Sequence, residues 1–538
     1  MKITIIMLIM SPKFKASASL LGLGLVLVFV SGCALPLGHW SSREEQGAPL
    51  ALARTTPGVK SPAIPVSSAV SQERPISPGT VPKGPGVLAS GGSALNLQTC
   101  IDFAIEHNFS IRQSLEAARQ ARAAVEVQKS DFDPQLFGSV RADRPAGGAS
   151  GNTEFSGGVT KRFATGTEVE LEGGNIANRT GDFRDDYLQS NPAGGAINVR
   201  QPLLRGWGME ANLAAIRVSE LLNEQASATV TADLLETLRS AETAYYAAAV
   251  AALVEKNQHT SLARAQQLMA DVKVRRAAGA ASQIDELEAE VALSAAQERL
   301  VEARKSAGDR IGELWLVLGA PLAEKLPEVS FTDLSDRALP GETPDGAKSF
   351  ARAMQTAPTA ILLINEVQRR EIELLRAKNQ VLPRLDAEVS AATADHPTKG
   401  GSDWEGVALL RFNIPWGLRA GKAQLASAQA GLDKSVTAQE EATQRLKQRI
   451  FELCRGIEAG RATLGAATRT AQVNRLKWDE QLRRHKDGLV PVRDLRESGE
   501  ELSAAEVREQ QARLSLFAGW SALSQLDGSI IGRHGLVL

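Results

Sequence analysis

The sequence predicts a mainly α-helical chain with a small β part, built as a duplicated helix–strand–strand–long helix–helix unit. Three observations predict it. Met209 to Ala278 are 70 consecutive residues without glycine or proline, which at a rise of ~1.5 Å per residue is one helix of roughly 105 Å. Short stretches of period-two alternation lie between the helical stretches, not in a separate block. Finally, landmarks of Pro, Gly and Asp recur in the same order in both halves of the chain. Length alone, 538 residues, implies three or four domains; the duplication replaces them with one elongated unit.

Composition supports this and excludes several functions. Aromatic residues are only 4% while alanine is abundant, which suits narrow helix–helix seams better than large globular cores. Lys and Arg number 61 against 62 Asp and Glu, without the basic excess of a nucleic-acid binder. Three cysteines, Cys33, Cys100 and Cys454, are too scattered for a disulfide framework or a thiolate metal site. Cys100 and Cys454 read as small buried hydrophobes. The six histidines never fall at metal-ligand spacing, and HExxH, Walker A and GxSxG motifs are absent. The chain is therefore expected to be no enzyme and to use no cofactor.

At the N-terminus, Lys13 and Lys15 precede an apolar run, Leu20 to Val30, too short to span a bilayer but right for a signal-peptide core. It ends in Val30-Ser31-Gly32-Cys33, which resembles the lipobox of bacterial lipoproteins. That resemblance makes residues 1–32 a signal peptide and Cys33 the acylated, palmitate-bearing first mature residue; Ala34, not Asp, directs the anchor to the outer membrane by the same analogy. An ordinary cleaved signal peptide with an incidental cysteine is the alternative, and translation starting at Met10 is compatible with either. Nine of the 23 prolines fall between Ala34 and Ser93 without apolar periodicity. Such a segment cannot bury enough surface to offset the entropy of ordering, so 33–93 reads as a disordered, lipid-anchored tether.

The first repeat, 94–325, opens with an apolar-periodic helix, Ile101 to Ser130, closed by Asp133-Pro134-Gln135-Leu136. Strands are expected at Phe137 to Arg141 and at Ile197 to Pro202, and Val169 and Leu171 among Glu168, Glu170 and Glu172 point to one extra strand. In the long helix, Leu234, Leu238, Ala241, Tyr245, Ala248 and Ala252 follow the 4-3 spacing of a coiled-coil seam. Gly279 then turns the chain into a returning helix, Ser282 to Leu318, stopped by Gly319-Ala320-Pro321. After a linker, 326–350, the second repeat, 351–530, has the same parts: Ala351 to Asn379, strands around Leu385 to Ala391 and Trp404 to Phe412, a long run from Trp416 to Val490 that glycines interrupt, and Val492 to Leu526 closed by Gly528. Residues 531–538 are left as a tail. The helix-ending prolines Pro134 and Pro383 are 249 apart, Pro202 and Pro415 are 213 apart, and Gly279 and Gly488 are 209 apart. The length difference is thus a 36-residue insertion among the strands of the first repeat.

Leu385, Ala387, Val389 and Ala391 alternate with Asp386, Glu388 and Ser390, giving one apolar and one polar face. This suits a membrane barrel with a wet lumen, or a soluble hairpin with one solvated face. In a barrel, two strands per repeat make four per chain, too few to close in lipid; several copies must then share the wall by cyclic symmetry.

Pro134-Gln135-Leu136, Gln201-Pro202-Leu203-Leu204-Arg205-Gly206-Trp207-Gly208, Gly279 to Asp285, Leu314 to Gly319, Pro383-Arg384-Leu385 and Gly488-Leu489-Val490-Pro491-Val492-Arg493-Asp494-Leu495, duplicated in order behind a lipobox, resemble the TolC-type outer-membrane efflux proteins, lipoprotein branch. The resemblance covers about residues 95 to 530. It implies a homotrimer with a trimeric α-helical barrel and a shared transmembrane β-barrel, twelve strands and twelve helices from three copies. It further implies a passive exit duct for small molecules, working with a periplasmic adaptor (membrane fusion) protein and an inner-membrane pump, lipid-anchored in the outer membrane with its helical tunnel in the periplasm. Type I protein secretion and a pore-free periplasmic coiled-coil scaffold are the alternatives.

In that family the Gly-x5-Asp turns form the periplasmic tip. Carried over, Asp494 and Glu497 would be acids of a constriction ring, with Asp285 and Glu288 at the matching first-repeat positions, and Gly279, Gly488 and Leu489 would form the tip turns on which the adaptor docks. Rings of carboxylates favour cations. Asp285 and Asp494 also read simply as acids at helix N-termini. Where the family places a basic latch residue, this chain has Val490; Arg493 is the nearby candidate substitute.

Overall fold

The computed structural model describes residues 95–143, 152–175, 193–320, 331, 343–396 and 401–536. The expected signal peptide, Cys33 and the tether lie outside the described residues, as does most of the linker.

The apolar-periodic segment that opens each repeat is two helices. In the first repeat α1 (Leu97–His107) and α2 (Phe109–Ser130) are separated by Asn108, whose extended backbone ends one helix and whose Oδ1 caps the next by accepting from Ser110 N at 2.8 Å and Ile111 N at 3.2 Å. Later come α3 (Met209–Asn212), α4 (Ala214–Ala277) and α5 (Gln283–Leu318). The second repeat opens with α6 (Gly346–Thr356) and α7 (Pro358–Val381), broken at Ala357, where Pro358 starts the new helix. The breaks at 108 and 357 stand 249 apart, the offset of the proline landmarks.

The long run expected from Trp416 is α8 (Arg419–Lys486), 68 residues, unbroken despite its glycines. Tertiary packing outweighs the cost of about 1 kcal/mol for each helical glycine. It is followed by α9 (Val492–Leu526) and α10 (Ser529–Arg533). The predicted seam of α4 is the one that is buried: Leu238, Ala241, Tyr245 and Ala248 sit in a core with Trp315, Leu318, Cys100 and Ile101. Ile450, Ile457, Leu516 and Leu523 form the matching core of the second repeat.

The returning helices end where the opening pairs break. Asn108 Nδ2 donates to Val317 O at 2.7 Å just before α5 stops, and Thr356 Oγ1 donates to Asp527 O at 3.1 Å just after α9 stops. The helices therefore form two tiers that share α4 and α8. Next to the strands α2, α4, α7 and α8 pack side by side; towards the turns the order is α5, α4, α9 and α8.

The residues expected as a tail from 531 are docked instead. Ile530 is fully buried, and His534 Nε2 lies 2.7 Å from Glu242 Oε1, while Ser521 Oγ donates to Glu242 Oε2 at 2.5 Å. Burial opposes ionisation of Glu242, yet the hydrogen bond from His534, the Arg533 charge and Ser521 together hold its carboxyl below the usual range.

The strands depart most from expectation. Among the described residues six strands, where four and one extra were expected, form one antiparallel sheet in chain order: β1 (Gln135–Asp143), β2 (Asn152–Arg162), β3 (Glu168–Asn175), β4 (Ala193–Pro202), β5 (Arg384–His396) and β6 (Gly401–Asn413). The insertion supplies a hairpin, β2 with β3, where one extra strand was expected. β2 was missed because Gly157 and Gly158 interrupt its alternation.

Candidate functional site

The two turns that follow α4 and α8 have the same geometry. Gly279 and Gly488 adopt φ of 73° and 79°, open to glycine without the cost an L side chain incurs. In the first turn Ala280 N donates to Arg275 O at 2.7 Å and Gly279 N to Arg276 O at 3.0 Å; in the second, Leu489 N donates to Arg484 O at 2.9 Å and Gly488 N to His485 O at 3.0 Å. Both are Schellman closures, so the Gly-x5-Asp repeat encodes one turn used twice.

The four expected acids fall in different settings. Asp285 completes a capping box: its Oδ2 accepts from Ser282 N at 2.9 Å and Ser282 Oγ at 2.8 Å, while Ser282 Oγ accepts from Asp285 N at 3.2 Å. Its helix-terminal role is thus explicit. Asp494 lies in the first turn of α9, exposed and with no hydrogen bond or ion pair among the described residues. Glu497 is exposed and pairs with Arg493 of its own helix at 3.1 Å. Glu288 is half-buried on α5 and faces Arg496 of α9 at 4.0 Å.

Arg493 thus makes its ion pair on its own helix, with the Glu288 charge of α5 also acting on it. The hydrogen-bonded cross-link at the turns comes from Arg275, at the end of α4, whose guanidinium donates to His485 O at 2.9 Å and Lys486 O at 3.0 Å. These carbonyls end α8, where a cation also meets the negative end of the helix dipole. Arg299 of α5 and Glu500 of α9 make a further, looser pair at 3.8 Å, beside that of Glu288 with Arg496. Sequence reasoning passed over Arg275; its position in the last helical turn before Gly279 was the available signal.

Beneath the turns the hairpins share an apolar cluster of Leu268, Val272, Ala289, Trp478, Val492, Leu495 and Leu502. Trp478 lies so close to α9 that a Cβ on Gly499 would be 2.8 Å from its ring. His485 is buried beside this cluster with Nδ1 2.8 Å from Val490 O. On the outside, Leu489 is 75% exposed, and Val274, Ile284 and Leu287 are exposed with it. The tip thus combines a polar clamp between hairpins, an exposed carboxylate and an apolar outer surface. Cys100 is far from any such chemistry: burial pushes its thiol up to about 12.

No protein-family model and no curated relative matches the chain. Solved structures do. The MtrE outer membrane channel of Neisseria gonorrhoeae in its open state is similar over 80% of this chain and 88% of its own, with TM-score 0.60 and 17% identity. The outer membrane protein VceC of Vibrio cholerae matches over 80% and 96%, with TM-score 0.60 and 15% identity. The CmeC outer membrane channel of Campylobacter jejuni matches over 80% and 85%, with TM-score 0.59 and 12% identity. The chain has the fold of these outer-membrane channels.

Proposed function

We propose that the chain is a TolC-type protein, the outer-membrane exit duct of a tripartite efflux system, which as a homotrimer conducts small molecules passively from a periplasmic adaptor and an inner-membrane pump. What carries the reading is that α4 joins two unlike ends. At its start is a sheet with one apolar and one polar face, suited to lipid and to a wet lumen. At its end, 64 residues or roughly 96 Å away, is the clamped acidic tip. A pore-free scaffold would have to keep the apolar face of this sheet, with Leu136, Phe155 and Leu171 exposed in the single chain, covered by a partner.

In this reading Asp494 and Glu497, with Asp285 and Glu288, narrow the tip by a ring of carboxylates that selects for cations. The turns at Gly279 and Gly488, with exposed Leu489, take the adaptor. Cys33 carries the lipid. Conductance of the detergent-extracted full chain in a planar bilayer tests the duct: D494N/E497Q should lower cation preference and cation block. A chain that neither oligomerises in detergent nor conducts would instead be the scaffold. Palmitate labelling that persists in C33A would refute the anchor.

A further inference from the structure

Resting on that duct reading, we infer that the chain's barrel has eighteen strands, not twelve, because the insertion hairpin is part of the barrel wall. The edges left open on the sheet, β1 and β6, then pair with those of neighbouring copies of the same chain.

The first support is register. β2 and β3 stand between β1 and β4 with continuous antiparallel pairing on both sides, Leu136 opposite Val159, Val159 opposite Leu171, and Leu171 opposite Ile197. That row continues from Ile197 to Ala391 and on to Gly406. The parity of the faces is therefore preserved across all six strands. A hairpin folded away from the wall, as a plug or a surface loop, has no reason to keep it, since a slip of one residue would exchange the faces.

The second support is what the faces carry. On the apolar side Leu136, Phe155, Leu171 and Val389 are all exposed in the single chain, inserted strands and shared strands alike, as a lipid-facing belt requires. On the other side Glu168 pairs with Arg200 of β4, and Glu388 of β5 with Arg411 of β6 at 3.1 Å. The inserted strand thus joins the ion-paired polar face of the strands it borders. The ring of Phe137 on β1 covers Gly158 of β2, where a Cβ would lie 2.7 Å from its Cζ.

The third support is width. Strands spaced ~4.8 Å apart and tilted by ~40° each take about 6.3 Å of circumference, so six span about 38 Å and four about 25 Å. The tier next to the strands is four helices wide, about 32–40 Å at 8–10 Å between axes. Six strands at this spacing span the width of the helices below them.

Closure follows. The six-stranded meander leaves β1 and β6 antiparallel, so β6 of one copy can pair with β1 of the next, and their hydrogen-bonding edges cannot stay open in lipid. Three copies make a wall about 36 Å across between backbones, against about 24 Å for twelve strands, a lumen about 1.5-fold wider at the backbone.

The test is electron cryomicroscopy of the detergent-extracted full chain, counting strands in a section through the barrel. Eighteen is the expected result. A trimeric barrel of twelve strands, with β2 and β3 outside it, overturns this inference and leaves the duct intact; absence of any shared barrel overturns both. A second measurement needs no map. S139C/S156C, whose parent hydroxyls lie 2.9 Å apart across β1 and β2, should form an intrachain disulfide in membranes, and S139C/G194C, the same row read across β1 and β4, should not. The reverse pattern, with β1 bonded to β4, overturns the inference.

Discussion

Replacing Arg275 with alanine removes both hydrogen bonds that tie the first hairpin to the carbonyls of His485 and Lys486. Each is worth about 0.5–1.5 kcal/mol net for a half-buried donor, and the loss of a cation at a helix C-terminus adds about 0.3–1 kcal/mol. A total of about 2 kcal/mol raises local opening of the tip about 30-fold. R275K keeps the charge and one donor, so about a fivefold effect is expected from half that energy. The assay is amide hydrogen exchange at Gly488 and Leu489, whose N–H groups close the second turn on His485 O and Arg484 O. Amides along the buried seam at Leu238 to Ala248 serve as the control and should not change. In the proposed trimer three clamps acting together amount to about 6 kcal/mol, so resting conductance of R275A should rise steeply. Less than about a threefold change in exchange at both amides would refute the clamp.

Three other outcomes are expected. G499V forces a branched side chain against the buried Trp478 ring and should destabilise the chain by about 1–3 kcal/mol, measured by urea unfolding. Because Glu242 is held below the usual carboxylate range, its contribution is full above about pH 4.3 and is lost as pH falls through the lowered folded value. The docking of α10 should therefore weaken only in acid; E242Q should free it at neutral pH, seen as faster trypsin cleavage after Arg533. Cys100, with its thiol near 12, is about one part in ten thousand thiolate at pH 8. Mass spectrometry should show it unalkylated in the native chain and alkylated after denaturation.

The parts of the fold that were legible in the sequence are those set by local rules over long stretches. The α4 seam was readable because Leu238, Ala241, Tyr245 and Ala248 repeat at helical spacing, and both tip turns because their left-handed φ favours glycine. The break at Ala357 was signposted by Pro358 and that at Asn108 by a capping residue, yet apolar periodicity runs through both and hides them. β2 escaped because its glycines carry no side chain to alternate. At the tip, Asp285 and Asp494 could be located but not distinguished. A capping serine three residues before Asp285 engages it, whereas Pro491, in the equivalent position, offers Asp494 no capping hydroxyl. The Arg275 clamp joins residues 210 apart in the chain, a pairing that depends on hairpin packing and not on local pattern.

The tiered arrangement has a mechanical consequence. α4 and α8 run unbroken through both tiers and act as stiff rods, whereas the columns α2 over α5 and α7 over α9 are each interrupted by a butt joint, near Asn108 and near Thr356. Bending stress from the tip concentrates at those joints, where a few hydrogen bonds cross instead of a continuous helix ladder.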